Sequence, residues 1–502
     1  MKKLIAARMI SQAFFLSLFI YILWSTTYPL KGTLKASTFF NFSPLIMIIT
    51  SISERVILPG LAASCFILIL TALFGRFFCG WVCPLGSAID IAAVFTRRRR
   101  KEDDRFNAKA KQPKFLILAV IAIASLFGIQ LAWIMDPIVI MGRFTSLNLI
   151  PAITATVNLL LIFTIKAFNY NSAIQDFYRT LKSGILGINV YYFSHSGIIF
   201  LFFLTICAFT LFKRRAWCRM ACPLGAIYAL AGRFAILHRV VEKCISCGRC
   251  KSDCRMGAIR DDMEYSKGEC VLCMDCVYDC PQHATAFRWS SGKIGAAPGK
   301  AGGITRRQFF LLAGSSLFLT GFNFKDRSAF RKTDIIRPPA ALKEDHFLDR
   351  CVRCGNCMKV CITNGLQPVL LQSGLDGIWT PQLVPEIGYC EYNCVLCGHT
   401  CPTGAIPALS LQEKHEVRLG VAEIDRSICI PWAQGGECIV CQEHCPIPQK
   451  AIKVQKDVVG DEVILKPYID ERLCVGCGIC QSKCPVRPIR AVKVSSRNSY
   501  RT

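Results

Sequence analysis

Twenty-four of the thirty cysteines in this 502-residue chain fall into six runs of four. The first run is Cys244, Cys247, Cys250 and Cys254, and the second is Cys270, Cys273, Cys276 and Cys280, followed by Pro281. The others are Cys351, Cys354, Cys357 and Cys361; Cys390, Cys394, Cys397 and Cys401; Cys429, Cys438, Cys441 and Cys445; and Cys474, Cys477, Cys480 and Cys484. Each of the last three ends in proline (Pro402, Pro446, Pro485). Three cysteines two residues apart wrap a tight loop round three corners of a cubane iron–sulfur cluster, while the fourth turns away to a neighbouring cluster. The chemistry this implies is one-electron transfer through six [4Fe–4S] clusters. Crossing of the fourth cysteines predicts Cys244, Cys247, Cys250 and Cys280 round one cluster, and Cys270, Cys273, Cys276 and Cys254 round the next. The Cys390–Cys394 gap is one residue longer than usual and the Cys429–Cys438 gap six longer, yet both runs keep the C-x₂-C-x₃-C-P ending. These read as loop insertions.

Structural zinc also uses cysteine pairs, but its tetrahedral sites take two such pairs without a crossed fourth cysteine before proline. A disulfide framework belongs to small secreted domains that lack an apolar core. Here apolar residues make up 52% of the chain, with mean hydropathy +0.38, and they concentrate before residue 213. The formal charge is +26 with every cysteine counted neutral. A cubane with four thiolates carries roughly −2, so six bring the loaded protein to about +14. Much of the basic excess is then counter-charge. No reading motif accompanies it, and nucleic acid is not an expected partner.

The apolar half must position this wire. Ile10–Trp24 is the first candidate span, with Lys2, Lys3 and Arg8 setting its start in the cytoplasm. Trp24–Tyr28 lacks the small residues of a cleavage site, so the segment reads as an uncleaved span. Val56–Phe78 returns inward to the basic run Arg97–Lys101, Phe115–Met135 goes out, and Ser196–Phe212 comes back to Lys213, Arg214 and Arg215. Pro151–Lys166 is apolar as well. As a further span it would put the two basic clusters on opposite faces, so it reads as interfacial or re-entrant.

A repeat marks the inner ends of two of these helices. Cys79-Gly-Trp-Val-Cys83-Pro84-Leu-Gly recurs as Cys218-Arg-Met-Ala-Cys222-Pro223-Leu-Gly. Cys79, Cys83, Cys218 and Cys222 are thus redox or metal candidates, whether as a cluster, a thiol pair or another metal site; the alternative is that small residues merely finish a helix and permit close packing. After the first two runs, Ser290–Gly303 reads as a flexible linker. It leads to Thr305-Arg306-Arg307-Gln308-Phe309-Phe310 and the mildly apolar Leu311–Phe322, a twin-arginine export pattern in mid-chain and a candidate fifth span. Clusters are assembled in the reducing cytoplasm, so a loaded module bound for the other face must cross folded.

Together these motifs resemble two proteins of the periplasmic nitrate reductase electron-supply system joined in one chain. Residues 1–290, with the two C-x₃-C-P motifs and the following two runs, resemble the H-type membrane ferredoxin. Residues 304–494, with the twin-arginine start and four runs, are similar to the G-type ferredoxin and its relative in methylamine utilisation. The resemblance implies a menaquinol dehydrogenase module, taking electrons from the membrane quinone pool and feeding a periplasmic reductase or c-type cytochrome. Ferredoxin-like electron-transfer subunits often pair outer runs and inner runs. That would give Cys351/Cys354/Cys357 with Cys484, Cys474/Cys477/Cys480 with Cys361, Cys390/Cys394/Cys397 with Cys445, and Cys429/Cys438/Cys441 with Cys401.

The expected architecture is an α-helical membrane domain of four spans and a fifth, carrying two α+β bacterial-ferredoxin-like modules. Its parts are a membrane domain (1–240), a two-cluster module (241–289) on the cytoplasmic face of the inner membrane, a linker with export signal (290–337) and a four-cluster module (338–502) on the periplasmic face. Asp136, at the outer end of the third span, is a candidate proton acceptor for quinol or else a helix-terminating Asp-Pro, and His195 is a helix-end residue. Two other functions fit the same motifs: an electron-donating assembly or maintenance factor for a metalloenzyme, and a cytoplasm-facing polyferredoxin subunit of a redox complex.

Overall fold

The computed structural model describes residues 2–28, 35–95, 111–168, 171–182, 191–260, 265–289, 314, 335–459 and 462–499. Arg97–Lys101, the linker after Trp289, and Arg306 and Arg307 with nearly all of the apolar run behind them lie outside these residues. The chain forms two compact units. The first comprises residues 1–23, 37–144 and 198–325, and the second 24–36, 145–197 and 326–502. These units cut across the expected linear domains, because Trp24–Ala36 and Thr145–Gly197 pack with the C-terminal module and not with the helices that flank them in sequence.

In the first unit, helix Lys2–Ser25 is followed by Pro44–Glu54, Leu61–Phe74, Pro84–Phe95, Pro113–Leu126 and Ser196–Ala208. Two helices among the described residues are long and apolar enough to cross a membrane, Lys3–Ser25 and Pro137–Ala167. The stretches expected as second and third spans are shorter than expected. Gly75, with φ 89°, ends the Leu61–Phe74 helix, and Gly128, with φ 77°, follows the end of Pro113–Leu126. Pro151–Lys166, expected as interfacial or re-entrant, is the later part of the 31-residue helix Pro137–Ala167. Asp136 begins that helix: its carboxylate accepts from the N–H groups of Ile138 (2.9 Å) and Val139 (3.0 Å) and from the Ser43 hydroxyl (2.6 Å). That is the geometry of an N-cap. His195 is exposed and has φ 61°, one residue before helix Ser196–Ala208.

The first two cysteine runs lie between strands Leu237–Val241 and Thr285–Trp289, which pair antiparallel with Val241 opposite Thr285. The second unit closes its last two runs in the same way: Val421–Ile424 pairs antiparallel with Val492–Ser495. A hairpin, Ile452–Val459 with Glu462–Ile469, stands between those runs, and a short ladder of Leu366–Pro368 with Pro381–Leu383 stands between the preceding two. The core of the last pair is Val421, Ala422, Ala451, Ile452 and Val492 packed around Cys441, Cys445, Cys474 and Cys480.

Candidate metal centres

In the four evenly spaced runs, the residues on either side of the middle cysteine have left-handed backbone. They are Ser246 and Gly248, Leu272 and Met274, Arg353 and Gly355, and Gly476 and Gly478, with φ between 52° and 86°. This conformation costs a residue with a Cβ about 1–3 kcal/mol, and it persists only where the surroundings enforce it. It turns N–H groups toward sulfur: Ser246 donates to Cys244 Sγ (3.3 Å) and Leu272 to Cys270 Sγ (3.4 Å). A one-turn helix then carries the third cysteine, as in Arg249–Ser252, Asp275–Tyr278, Asn356–Lys359 and Ile479–Lys483. The two irregular runs share a different entry. Val395 (φ −123°, ψ 13°) and Ile439 (φ −122°, ψ 11°) precede their helices in nearly identical backbone geometry. Insertions of different length thus arrive at one loop form.

The thiols gather in fours. Cys250 lies within electrostatic reach of Cys244, Cys247 and Cys280, and Cys254 stands beside Cys270, Cys273 and Cys276. In the second unit Cys401 joins Cys351 and Cys357, and Cys361 joins Cys390, Cys394 and Cys397. Cys484 joins Cys429, and Cys445 joins Cys474 and Cys477. Cys361, Cys390, Cys394 and Cys397 also line one pocket, together with Leu366, Leu383 and Leu396. The outer-with-outer and inner-with-inner pairing expected for the last four runs is therefore not the one formed: each run exchanges its fourth cysteine with the next run in sequence. The reason is that each two-run module joins its own first and last segments: Val421–Ile424 pairs with Val492–Ser495 around the last two runs, and the Leu342 N–H donates to the Ala405 carbonyl (3.3 Å) across the preceding two.

Four thiols around a space suit a polynuclear cluster. A single zinc ion needs sulfurs converging at about 2.3 Å, and among the described residues no three His, Cys, Asp or Glu side chains converge on such a point. Burial pushes the Cys270 and Cys390 thiols up to about 11 and those of Cys276, Cys441 and Cys477 to about 12. Unloaded, these groups are protonated at neutral pH, so loading with iron displaces protons. Cys280 runs the other way: burial raises it slightly, but N–H groups of Ala284, Gln282 and Thr285 outweigh that and lower it.

The two C-x₃-C-P copies also meet, within the first unit. Cys83 and Cys222 are buried, and Cys83 and Cys222 both lie within electrostatic reach of Cys79 and Cys218. The motif has a local logic: Cys222 is the N-cap of helix Pro223–Ala231, its sulfur accepting from Gly225 N–H (3.2 Å), and proline fills the first helical position, where no donor is missed. Buried ion pairs surround the copies. Arg215 is bidentate to Asp90 (2.9 and 2.7 Å) and donates to the Cys79 carbonyl (2.8 Å), while Arg76 and Lys114 share Glu269 (2.9 and 2.6 Å). Of these charged residues only Arg215 entered the sequence reading, as part of a basic flank, and it is buried. The signal was present, since arginine stands three residues before the first cysteine of each copy.

Left-handed cysteine loops, fourth cysteines that cross to the neighbouring run, and strand pairs closing the first and last two-run modules are the framework of a ferredoxin-type electron carrier. Models of a "4Fe-4S binding domain" match residues 56–102 and 196–243, one stretch for each C-x₃-C-P copy, and a second such model matches 467–490. Ferredoxin-type protein NapG of Escherichia coli (strain K12) is 32% identical over 154 residues, 30% of this chain and 65% of that protein, so just under two thirds of its length is spanned. Methylamine utilization ferredoxin-type protein MauM of Methylorubrum extorquens is 33% identical over 189 residues (37% of this chain, 80% of that protein), and ferredoxin-type protein NapF of Escherichia coli is 31% identical over 156 residues (31% and 84%). No solved structure matches the chain. The chain belongs to the family of ferredoxin-type iron–sulfur electron-transfer proteins that includes MauM and NapF.

Proposed function

We propose that the chain is a membrane-bound quinol dehydrogenase component, joining an H-type membrane ferredoxin to a G-type exported one. It takes electrons from menaquinol and delivers them to a periplasmic reductase or c-type cytochrome. Six [4Fe–4S] clusters, each accepting one electron at a time, would be held by the twenty-four cysteines of the six runs. Quinol gives two electrons and two protons, so the carrier splits a two-electron donor into single steps.

The observation that carries the topology is where the two ends of the first helix find partners, each within its own unit. Arg8, near the end that the positive-inside rule assigns to the cytoplasm, pairs with Asp275 (2.8 Å) and donates to the Cys273 carbonyl (2.7 Å) of the first two-cluster module. The carbonyls of Trp24 (3.0 Å) and Thr26 (2.7 Å), at the other end, accept from Lys359 of the C-terminal module. The contact of Arg8 supports a cytoplasmic first module, and the twin-arginine pattern at Arg306 and Arg307 is what supports a periplasmic second one. The meeting of Cys79 and Cys83 with Cys218 and Cys222 supports an even number of crossings between the two copies, as the four-span count has it, because two segments that end at one depth must be so separated. On this reading helix Pro137–Ala167 completes no crossing.

Steady-state oxidation of menaquinol by the purified, anaerobic protein with an added one-electron acceptor tests the function. Sustained turnover is the expected result, and an assembly factor would show none. Protease access to the C-terminal module in right-side-out vesicles, with and without Arg306→Lys and Arg307→Lys, tests the topology: the wild-type module should be cleaved from outside and the variant's protected.

A further inference from the structure

We infer that Cys79, Cys83, Cys218 and Cys222 are the four ligands of one additional iron–sulfur centre, shared by the two copies of the repeat and enclosed by Arg76, Arg215 and Tyr228. The inference deepens the reading of the chain as an iron–sulfur carrier. The family models span both copies but assign no ligand residue, and they match each copy separately.

The first argument is unmet hydrogen bonding. Arg76 is fully buried, and its Nη1 is taken by Glu269, yet its Nε and Nη2 have no partner among the described residues; the buried Tyr228 hydroxyl has none either. Both side chains stand beside the same thiols, Arg76 near Cys79, Cys222 and Cys218, and Tyr228 near Cys79, Cys83 and Cys222. Buried donors without acceptors require something to receive them. The thiolates and bridging sulfides of a cluster are acceptors at that place, and four protonated thiols are poor ones.

The second argument is charge. Among the described residues, the close ion pairs of Arg8, Arg76, Lys114, Arg215 and Arg255 in this buried network are made with three carboxylates, Asp90, Glu269 and Asp275. An excess of buried cations calls for an anion, and a thiolate-ligated cluster supplies roughly two negative charges. The third is the shape of the cradle. A Cβ on Gly225 would stand 2.8 Å from Arg76 Nη2, and one on Gly86 would stand 3.0 Å from the Cys79 carbonyl and 3.6 Å from Arg215 Nη2. Each arginine therefore reaches across to the other copy's helix start. Lone donors on one copy would make half a site; the crossing makes a single site with approximate two-fold symmetry.

Such a centre would have a neighbour in the wire. Gly80 lies against the Val271 carbonyl, Trp81 Nε1 donates to Leu272 O (3.0 Å), and Arg219 donates to the Cys254 carbonyl (2.9 Å). Both copies thus touch the backbone of the Cys254, Cys270, Cys273 and Cys276 group.

Native mass spectrometry of the full-length protein, purified without oxygen in detergent, counts the centres directly. The expected mass carries a centre beyond six cubanes, and Cys79→Ser with Cys218→Ser removes it, lowering iron by about one seventh for a cubane while the other centres' signals stay. Arg76→Lys should keep the iron and shift the reduction potential of one signal only. A wild-type mass with six cubanes and no more, or a disulfide among these four cysteines in the as-isolated protein, overturns the inference. Because the count is made on wild type, misfolding of a variant cannot mask it. Quinol turnover is measured apart, so either reading can fail while the other stands.

Discussion

The two cluster-bearing regions are held in place by different physics. In the first unit, the two-run module meets the helices through buried ions: Arg8 with Asp275, Arg255 bridging Asp275 and Asp90, Arg215 on Asp90, and Arg76 with Lys114 on Glu269. In the second unit, the last two runs are centred on an apolar cluster closed by a strand pair. The cysteines differ accordingly. Cys244 and Cys247 are exposed, whereas none of the sixteen in the C-terminal runs is. An ionic joint is specific in geometry but fails sharply when one partner is lost. An apolar core degrades by increments. Exposure also stabilises the additional negative charge of a reduced cluster, so the Cys244, Cys247, Cys250 and Cys280 centre should have a higher potential than buried cubanes of the same ligation.

The sharpest break of this contrast is Glu269→Ala. It leaves Arg76 and Lys114 buried without their shared carboxylate, at a cost of about 3–5 kcal/mol. Thermal unfolding of the anaerobic protein, read with iron content, should show loss of the first module's iron while the four C-terminal centres remain. Loss of all centres together would mean that the two regions do not depend on separate interactions. The counterpart is Ile452→Ala. Ile452 is 2% exposed in the apolar cluster, and its truncation should cost about 2–5 kcal/mol, confined to the C-terminal module. Gly80→Ala comes next: its Cβ would stand 2.1 Å from the Val271 carbonyl, a backbone atom that cannot swing aside. About 1–3 kcal/mol of overpacking is expected, together with altered spectra of the Cys270 group.

How much of this was legible in the sequence follows from which interactions are local. The six runs, the crossing of Cys254 and Cys280, and the C-x₃-C-P repeat are written in spacing, because a cluster loop is closed within about ten residues. The partners of Cys361, Cys401, Cys445 and Cys484 were not legible. Those of Cys445 and Cys484 depend on Val421–Ile424 meeting Val492–Ser495 across some seventy residues, those of Cys361 and Cys401 on the segment at Leu342 meeting Ala405, and spacing carries no trace of either. Helix ends were blurred for a similar reason: Gly75 and Gly128 stop helices inside stretches that stay predominantly apolar on both sides. The pairing within the buried ion network was hidden, although the arginines before each C-x₃-C-P copy were in view, because Arg8, Asp90, Glu269 and Asp275 are far apart in sequence and meet only after folding.

Acid and base should separate the regions as well. Burial pushes the Asp90 carboxyl up, but Arg215, through charge and two hydrogen bonds, and then Arg255 outweigh it and hold it below the usual carboxylate range. Its contribution is complete above the unfolded value of about 3.9 and is lost as pH falls through the lower folded value. Lys359 behaves oppositely, its amine pushed down to about 7 by burial. Between pH 7 and the unfolded value of about 10.4 the unfolded chain binds the extra proton, so C-terminal module stability should rise with pH across that window. Denaturation at several pH values should show this slope, and Lys359→Met should abolish it while leaving the acid limb of the first unit unchanged.

The smallest effect sharpens the contrast from its other side. Arg497 pairs with Glu423 (2.8 Å) and Glu471 (3.0 Å), but all three side chains are about half exposed. Water already solvates these charges, and holding the long arginine in one place costs rotamer entropy. Arg497→Ala should therefore change stability by less than about 1 kcal/mol, and less still in high salt. If it instead matched Glu269→Ala, burial would not be what makes the ions of the first unit matter, and the difference between the two regions would have to be sought in their clusters.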